Sequence, residues 1–186
     1  MIEQSDEEIV IQVQKGNVEA FGALMKRYEP KLTRYARKFL LDGGDAEDLV
    51  QEVFIKAYMN VRGFDPSRRF SPWIYRIAHN VFVNAIKKRG TDKVSFFDLD
   101  LLFPHIVAKQ TADDEVQKRE LRDSLDGHLS KLDRKYREPI VLYFYEDMDY
   151  QGIAETLQIP VSTVGVRLQR GKAMLKKIAA KTETPI

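Results

Sequence analysis

Residues 150–175 read YQGIAETLQIPVSTVGVRLQRGKAML, and the spacing of their apolar residues decides the fold of the C-terminal part. Apolar residues recur at intervals of three and four, which predicts one helix over 149–157 and a second over 162–179. Pro160 cannot continue the first helix, and Ser162 is a suitable N-cap for the second. A short helix, a tight turn and a longer helix are typical of a helix-turn-helix, which binds duplex DNA.

The second helix of this motif has one apolar side, and its opposite side is polar and basic. Residues near the N-terminus of such a helix reach base edges in the major groove, and cations farther along meet phosphates. A basic amphipathic helix with no role in DNA binding is the alternative interpretation. The residues that we predict to contact duplex DNA are Ser162, Thr163, Val166, Arg167, Arg170 and Lys172.

The charges of the chain are unevenly distributed. Two windows, 66–91 and 156–182, contain no acidic residue, and each carries six cations. The other segments are rich in acids, so the 186-residue chain has a formal net charge of only +2. A polyanion would therefore bind at the two windows and be repelled elsewhere.

The first window combines its cations with aromatic and amide side chains. We predict a helix over 72–88 whose apolar side packs in the core and whose opposite side carries an aromatic ring, amides and cations. Cations hold phosphates, amides read base edges, and aromatic rings stack on unpaired bases. In the alternative, Trp73 belongs to the core and the polar residues are merely solvated. The residues predicted to contact single-stranded DNA are Arg68, Arg69, Phe70, Trp73, Arg76, Asn80, Asn84 and Lys87.

The segment 46–61 predicts another helix, with a buried apolar side and a mixed outer side. Carboxylates in its first turn complement the helix dipole, but this effect does not explain apolar residues that point outward. A surface of acids, an amide and apolar side chains suits docking onto a basic protein element. The residues predicted to form this docking surface are Asp48, Gln51, Glu52, Ile55 and Met59.

Strict alternation of apolar and polar residues is absent, so we predict an all-α fold. We expect two small helical domains, over 1–90 and 116–181, joined by an acidic linker over 91–115. The linker carries two cations and six acids, and its charge would shield the basic windows or simply keep it solvated. The predicted helices cover 5–15, 18–40, 46–61, 72–88, 98–103, 117–130, 134–146, 149–157 and 162–179.

The composition argues against several classes of site. The chain has no cysteine, which excludes disulfides and thiolate metal ligands. Its three histidines lack the spacing of metal ligands, so we predict no metal, no cofactor and no catalytic residue. No apolar run approaches the roughly 20 residues of a membrane span, and the acidic start has no signal-peptide pattern. We therefore expect a cytoplasmic protein with no membrane insertion.

Three segments, in this order along the chain, resemble those of bacterial sigma factors of the two-domain extracytoplasmic-function group. Residues 45–58, DAEDLVQEVFIKAY, resemble the polymerase-docking helix of this family. Residues 70–80, FSPWIYRIAHN, resemble its segment that melts the promoter and reads the minus-ten element. Residues 150–175 resemble its helix-turn-helix for the minus-thirty-five element. The resemblance covers nearly the whole chain except the linker and the last few residues.

The resemblance implies a transcription initiation factor that binds core RNA polymerase and directs it to specific promoters. The 46–61 helix would dock on the coiled coil of the polymerase clamp. The 64–89 region would capture a flipped base and hold the melted non-template strand, and the C-terminal domain would bind the upstream duplex. The linker would pass near the active-site channel. The family also implies an anti-sigma factor as a partner.

The chain departs from the pattern of the family in its helix-turn-helix. Gln151 and Gly152 follow the aromatic residue where members often carry two acids. Ser162 and Gly165 stand where glycine and lysine are frequent. Glycine weakens a helix by about 1 kcal/mol relative to alanine. The missing cation leaves the preference for an upstream sequence open.

Two other function classes compete with this interpretation. An enzyme would need a catalytic constellation, which the sequence does not offer. A one-component repressor or activator would use the same helix-turn-helix and keep a ligand-binding or dimerisation domain at its N-terminus. Binding of the N-terminal half to core polymerase distinguishes this regulator from a sigma factor.

Overall fold

The computed structural model of the protein describes residues 4–40, 45–89 and 127–182. The chain divides into two compact units, Met1–Asp92 and Lys93–Ile186. All regular elements of the described residues are α-helices or short 3-10 helices, so the predicted all-α fold is confirmed. The helix predicted over 98–103 and most of the one predicted over 117–130 lie outside the described residues.

The described part of the first unit contains four α-helices. Each forms where the apolar periodicity predicts it, within a few residues. Their bounds are α1 (Asp6–Gln14), α2 (Phe21–Leu40), α3 (Ala46–Asn60) and α4 (Phe70–Lys88), with 3-10 turns at Val18–Ala20 and Val61–Gly63.

Helix α1 begins with a reciprocal capping box. Ser5 Oγ accepts a hydrogen bond from the Glu8 N–H (3.1 Å), and Glu8 Oε2 accepts one from the Ser5 N–H (2.9 Å). After the helix, Gly16 has a φ of 103°, a left-handed conformation that glycine adopts without strain. The chain can therefore turn sharply before α2.

The ends of α3 and α4 differ in detail from the prediction. Asp45 precedes α3, but its side chain makes no capping hydrogen bond and instead forms an ion pair with Arg89, just after α4. Aspartate is a preferred N-cap residue, so a cap is expected at Asp45 from the sequence, and this expectation is wrong. Helix α4 begins at Phe70, two residues before the predicted start, and Pro72 lies in its first turn, where a missing N–H costs nothing. Helix α2 passes through Pro30 without ending.

Aromatic rings from α2 and α4 form the core of the first unit. Tyr28 contacts Phe70 with 5.4 Å between ring centroids, and Tyr35 contacts Tyr75 at 5.5 Å and Phe82 at 5.3 Å. Positions later in α2 meet positions later in α4, so the two helices run side by side in the same direction. These rings are almost completely buried, and aromatic pairs of this kind stabilise a core beyond the area that they bury.

The described part of the second unit contains three α-helices after a 3-10 turn at Leu129–Lys131. Asp149 caps α6 by accepting a hydrogen bond from the Gly152 N–H (2.7 Å), and α6 ends at Gln158 in the left-handed conformation (φ 55°). This turn leads directly into α7, so α6 and α7 form the predicted helix-turn-helix. The helix bounds are α5 (Arg134–Phe144), α6 (Tyr150–Leu157) and α7 (Val161–Thr182).

Helix α7 begins one residue earlier than predicted, so Ser162 lies in its first turn and the prediction of Ser162 as the N-cap is wrong. Farther along, α7 passes close to α5 at Gly171. A Cβ added at Gly171 would lie 2.6 Å from Ile140 Cδ1 and 3.4 Å from the Tyr136 carbonyl oxygen. Any side chain at position 171 would therefore have to displace the buried Ile140 side chain, which favours glycine where the two helices approach.

Candidate nucleic-acid and protein interfaces

The outer side of α3 presents acids, an amide and apolar residues together. Asp48, Gln51 and Glu52 are exposed, and Glu52 forms a surface ion pair with Lys56 at 3.2 Å. Ile55 and Met59 are 60% and 74% exposed, which is unusual for residues of their size. The structure thus brings the five residues of the predicted docking surface to one side of the helix.

An apolar groove of 680 Å³ adjoins this surface, between α3 and α2. Ile55 and Met59 line it from α3, and Phe21 and Met25 line it from α2. Phe21 packs edge-on against Tyr58, and both rings line the groove. The sequence interpretation missed the α2 wall, because the sequence alone does not show that Met25 is 41% exposed.

The polar side of α4 lies opposite its buried face. Asn80, Asn84 and Lys87 are exposed, and Trp73 and Arg76 are half-buried. These residues follow one another at spacings of three and four, so they form a continuous stripe along the helix. We call this set the α4 stripe. The Trp73 indole is half-buried, so Trp73 is neither a fully buried core residue nor a fully exposed one.

The loop before α4 presents two further cations of the predicted single-strand set, since Arg68 and Arg69 are exposed. A turn within the loop is fixed by Asp65, which accepts hydrogen bonds from the Ser67 N–H (3.0 Å) and the Ser67 hydroxyl (2.8 Å). These hydrogen bonds hold the pKa of the Asp65 carboxyl below its usual value, so it stays charged.

Phe70 is a correction to the predicted single-strand set. Its side chain is fully buried and contacts Tyr28, Phe64 and Trp73, at centroid distances of 5.4, 5.7 and 5.3 Å. A ring in this position cannot stack on a base unless the core opens. The prediction was wrong because the acid-free window was treated as one surface, whereas Phe70 belongs to the packed side of α4.

Helix α1 anchors both ends of the loop before α4. Gln14 Nε2 donates hydrogen bonds to the carbonyl oxygens of Val61 (2.9 Å) and Phe64 (2.8 Å). At the other end, Glu7 Oε1 accepts a hydrogen bond from the Phe70 N–H (2.8 Å). No local sequence pattern pointed to these contacts, because the partners lie 47 to 63 positions apart in the chain.

A neighbouring acid fixes α1 against α2. Asp6 accepts a hydrogen bond from the Tyr28 hydroxyl (2.5 Å) and forms an ion pair with Arg27. Burial, and then the hydrogen bond to Asp6, raise the pKa of Tyr28 far above its ordinary value. The Tyr28 hydroxyl therefore stays protonated and can donate its hydrogen bond to Asp6.

Six residues of α7 are predicted to contact duplex DNA, and we call them the duplex-reading set. The structure exposes only some of them to solvent. Arg170 is exposed, and Ser162 and Lys172 are half-buried. The Lys172 ammonium lies 5.2 Å from the ring centroid of Phe144 and 5.6 Å from that of Tyr143, which positions the charge near α5.

Thr163, Val166 and Arg167 are corrections to the duplex-reading set, because they are buried and the helical wheel predicted them on the outer or flanking side. All six residues of 163–168 are buried. Helix α7 contacts both α5 and α6. The prediction from the helical periodicity of the sequence assumed that only one side of α7 is packed. A run of six buried residues exceeds one helical turn, so burial goes all the way round this part of α7.

Within residues 4–40, 45–89 and 127–182, no group of three or more histidine, cysteine or acidic side chains is arranged to hold a metal ion. No α-helix of the same residues is long and apolar enough to cross a membrane.

Comparison with known proteins identifies both units. Residues 24–91 match the family model of sigma-70 region 2, and residues 122–175 match that of sigma-70 region 4. The ECF RNA polymerase sigma factor SigW of Bacillus subtilis (strain 168) is 36% identical over 174 residues, which cover 89% of this chain and 92% of SigW. The chain belongs to the ECF group of RNA polymerase sigma factors. It is thus a transcription initiation factor that directs RNA polymerase to promoters.

Other relatives of this ECF sigma factor agree with the assignment. The ECF sigma-E factor of Escherichia coli (strain K12) is 32% identical over 175 residues, which cover 90% of this chain and 91% of the relative. The solved structure of CnrH, in complex with the cytosolic domain of CnrY, has a TM-score of 0.71 and 26% identity, and the match covers 97% of this chain and 100% of CnrH. The region 2 match contains α3 and α4, and the helix-turn-helix begins within the region 4 match.

Proposed function

We propose that this sigma factor divides promoter recognition between the two units. Residues 1–90 would dock on core polymerase and open the minus-ten element, residues 116–181 would bind the minus-thirty-five duplex, and 91–115 would link them. The observation that carries the proposal is the pair of exposed surfaces within the region 2 match. The outer side of α3 and the α4 stripe differ in chemistry, as binding to a protein and binding to DNA require.

Polymerase docking is assigned to α3. Its exposed carboxylates, Asp48 and Glu52, suit a basic partner, and its two exposed apolar residues gain free energy when a partner covers them. The family places the coiled coil of the polymerase clamp against this helix. The adjoining apolar groove offers room for an apolar side chain of that partner.

Contact with the melted strand is assigned to the α4 stripe and the loop before it. Trp73 offers a partly exposed ring for stacking, and Asn80 and Asn84 offer amides for base edges. Arg68, Arg69, Arg76 and Lys87 supply charge for phosphates. Phe70 is left out of this assignment because it is part of the core.

Upstream duplex contact is assigned to the accessible residues of α7. Arg170 is the exposed cation nearest the turn, and Ser162 lies in the first turn of the helix. Lys172 supplies a phosphate contact. Thr163, Val166 and Arg167 are buried. We therefore propose them as DNA contacts only in a conformation that exposes this part of α7 to solvent.

The proposal includes a regulatory partner and a place of action. CnrH was solved with the cytosolic domain of a second protein. We infer that an anti-sigma factor binds this sigma factor and prevents it from binding polymerase. The sigma factor would act in the cytoplasm, beside polymerase and the chromosome, and would do no catalysis of its own.

Reconstituted transcription tests the proposal. Purified protein is added to bacterial core polymerase, and transcript starts are mapped on fragmented genomic DNA of the host. We expect discrete starts that require the protein and share a pair of upstream elements. No starts, together with no binding to core, would contradict the proposal and leave a one-component DNA-binding regulator.

A charge-reversed variant tests the docking surface separately. Asp48→Lys combined with Glu52→Lys should weaken binding to core polymerase, and the loss should shrink as salt rises, because exposed charges are screened. Glu19→Lys, at an exposed acid before α2, is a control that changes net charge in the same direction. Wild-type binding by the double variant would contradict docking through α3.

A further inference from the structure

We propose that α1 is a positioning element for promoter opening, and that Gln14 and Glu7 hold the loop 64–69 in the shape that presents the α4 stripe to the melted strand. The inference rests on the proposed function of that stripe. Helix α1 precedes residues 24–91, so it lies outside the region 2 match.

Gln14 holds the start of the loop through two hydrogen bonds from one amide nitrogen. Its partners are the carbonyl oxygens of Val61, the first residue of the 3-10 turn after α3, and of Phe64, the residue after that turn. The Val61 carbonyl also accepts the Phe64 N–H at 3.1 Å, so Gln14 adds a second donor to a turn that the backbone already closes. The contact is part-buried, and a carbonyl that loses a donor in such a place is poorly compensated by water. Gln14 therefore fixes the backbone at the point where the chain leaves α3.

Glu7 holds the end of the loop. The N-terminus of α4 has no side-chain cap of its own, because Arg69 at the N-cap position makes no capping hydrogen bond. Glu7 reaches across from α1 and accepts the Phe70 N–H at 2.8 Å. Its carboxylate thus satisfies one free amide of the helix and complements the positive end of the helix dipole.

The two anchors control the aromatic residues beneath the stripe. Phe64 and Phe70, one at each end of the loop, pack against Trp73 with centroid distances of 5.0 and 5.3 Å. Movement of either end would shift the ring of Trp73 and the exposed cations Arg68 and Arg69. Helix α1 would therefore set the geometry of the DNA-binding side without touching DNA.

The test uses Gln14→Met, which keeps the side-chain volume and removes both donated hydrogen bonds. Gln12→Met is the matched control: Gln12 lies on the same helix, and its side chain has no hydrogen-bond partner among the described residues. Glu7→Ala repeats the test at the other anchor. If one of the two anchor variants fails to fold, the other still tests the proposal.

Two readouts separate positioning from general stability. Trp73 is the only tryptophan of the chain, so its emission and its quenching by iodide report the loop directly in the free protein. The second readout is promoter opening by the reconstituted holoenzyme, measured beside the affinity for core polymerase.

For Gln14→Met and Glu7→Ala we expect altered Trp73 quenching, wild-type affinity for core and a decrease of about tenfold in promoter opening, the size expected for one or two lost hydrogen bonds. We expect wild-type values for Gln12→Met. Folded anchor variants with wild-type quenching or wild-type opening would overturn the inference. Wild-type protein that opens no promoter would instead contradict the proposed function.

Discussion

Truncation of two exposed side chains on α3, Ile55→Ala with Met59→Ala, should separate polymerase binding from folding. Ile55 is 60% exposed and Met59 is 74% exposed, so neither contributes much to the core of the first unit. Surface substitutions of this kind usually change the free energy of unfolding by no more than about 0.5 kcal/mol. The thermal unfolding midpoint should therefore stay close to that of the wild type.

The expected loss of affinity follows from the exposed fractions. Complete burial of an isoleucine or methionine side chain contributes about 1.5–3 kcal/mol. If docking covers the 60% and 74% that are now exposed, the double truncation removes about 2–4 kcal/mol of binding free energy. This loss corresponds to a Kd for core polymerase that is about 30- to 700-fold higher.

The assay is a titration of labelled sigma factor with core polymerase, followed by fluorescence anisotropy without DNA. Val18→Ala is the control, because Val18 is 56% exposed on the same unit and does not line the groove. Wild-type Kd for the double variant would refute docking through α3. A large fall in the thermal unfolding midpoint would refute the claim that Ile55 and Met59 contribute little to the core.

Three other substitutions test the remaining surfaces. Arg170→Ala should weaken duplex binding by about 1–3 kcal/mol and alter the preferred upstream sequence, and unchanged binding in a salt series would place recognition elsewhere. Asn80→Ala should leave the affinity for core intact and reduce promoter opening; normal opening by a permanganate footprint would make Asn80 structural. Gly171→Val should destabilise the second unit by about 1–3 kcal/mol in urea unfolding, because its side chain would collide with Ile140. Ala173→Val, exposed on the same helix, is the control, and equal stability of the two variants would contradict this reason.

Local pattern was sufficient to predict the helices of the described residues. The capping box of α1, the break at Gly16 and the proline in the first turn of α4 are signals that act within a few residues. Such signals fix where a helix begins and ends, because capping and proline geometry are local. They do not fix which side of a helix is covered when two neighbours pack on it.

The errors at the candidate site have this tertiary origin. Phe70 was assigned to DNA because it lies among cations, yet its ring completes an aromatic core built with Tyr28 from another helix. Val166 was assigned to the outer side of α7 by a wheel with one buried face, but it is 2% exposed. The anchoring contacts of Gln14 and Glu7 join distant parts of the chain, and no spacing rule predicts them.

The separate cores of the two units have an evolutionary consequence. The first unit rests on rings from α2 and α4, and the second on the close approach of α7 to α5 at Gly171. The residues that form one of these packings are therefore different from those that form the other. Under the proposed function, a duplicated copy of such a chain can change the upstream element that it recognises through substitutions in α7 while α3 keeps its surface for polymerase.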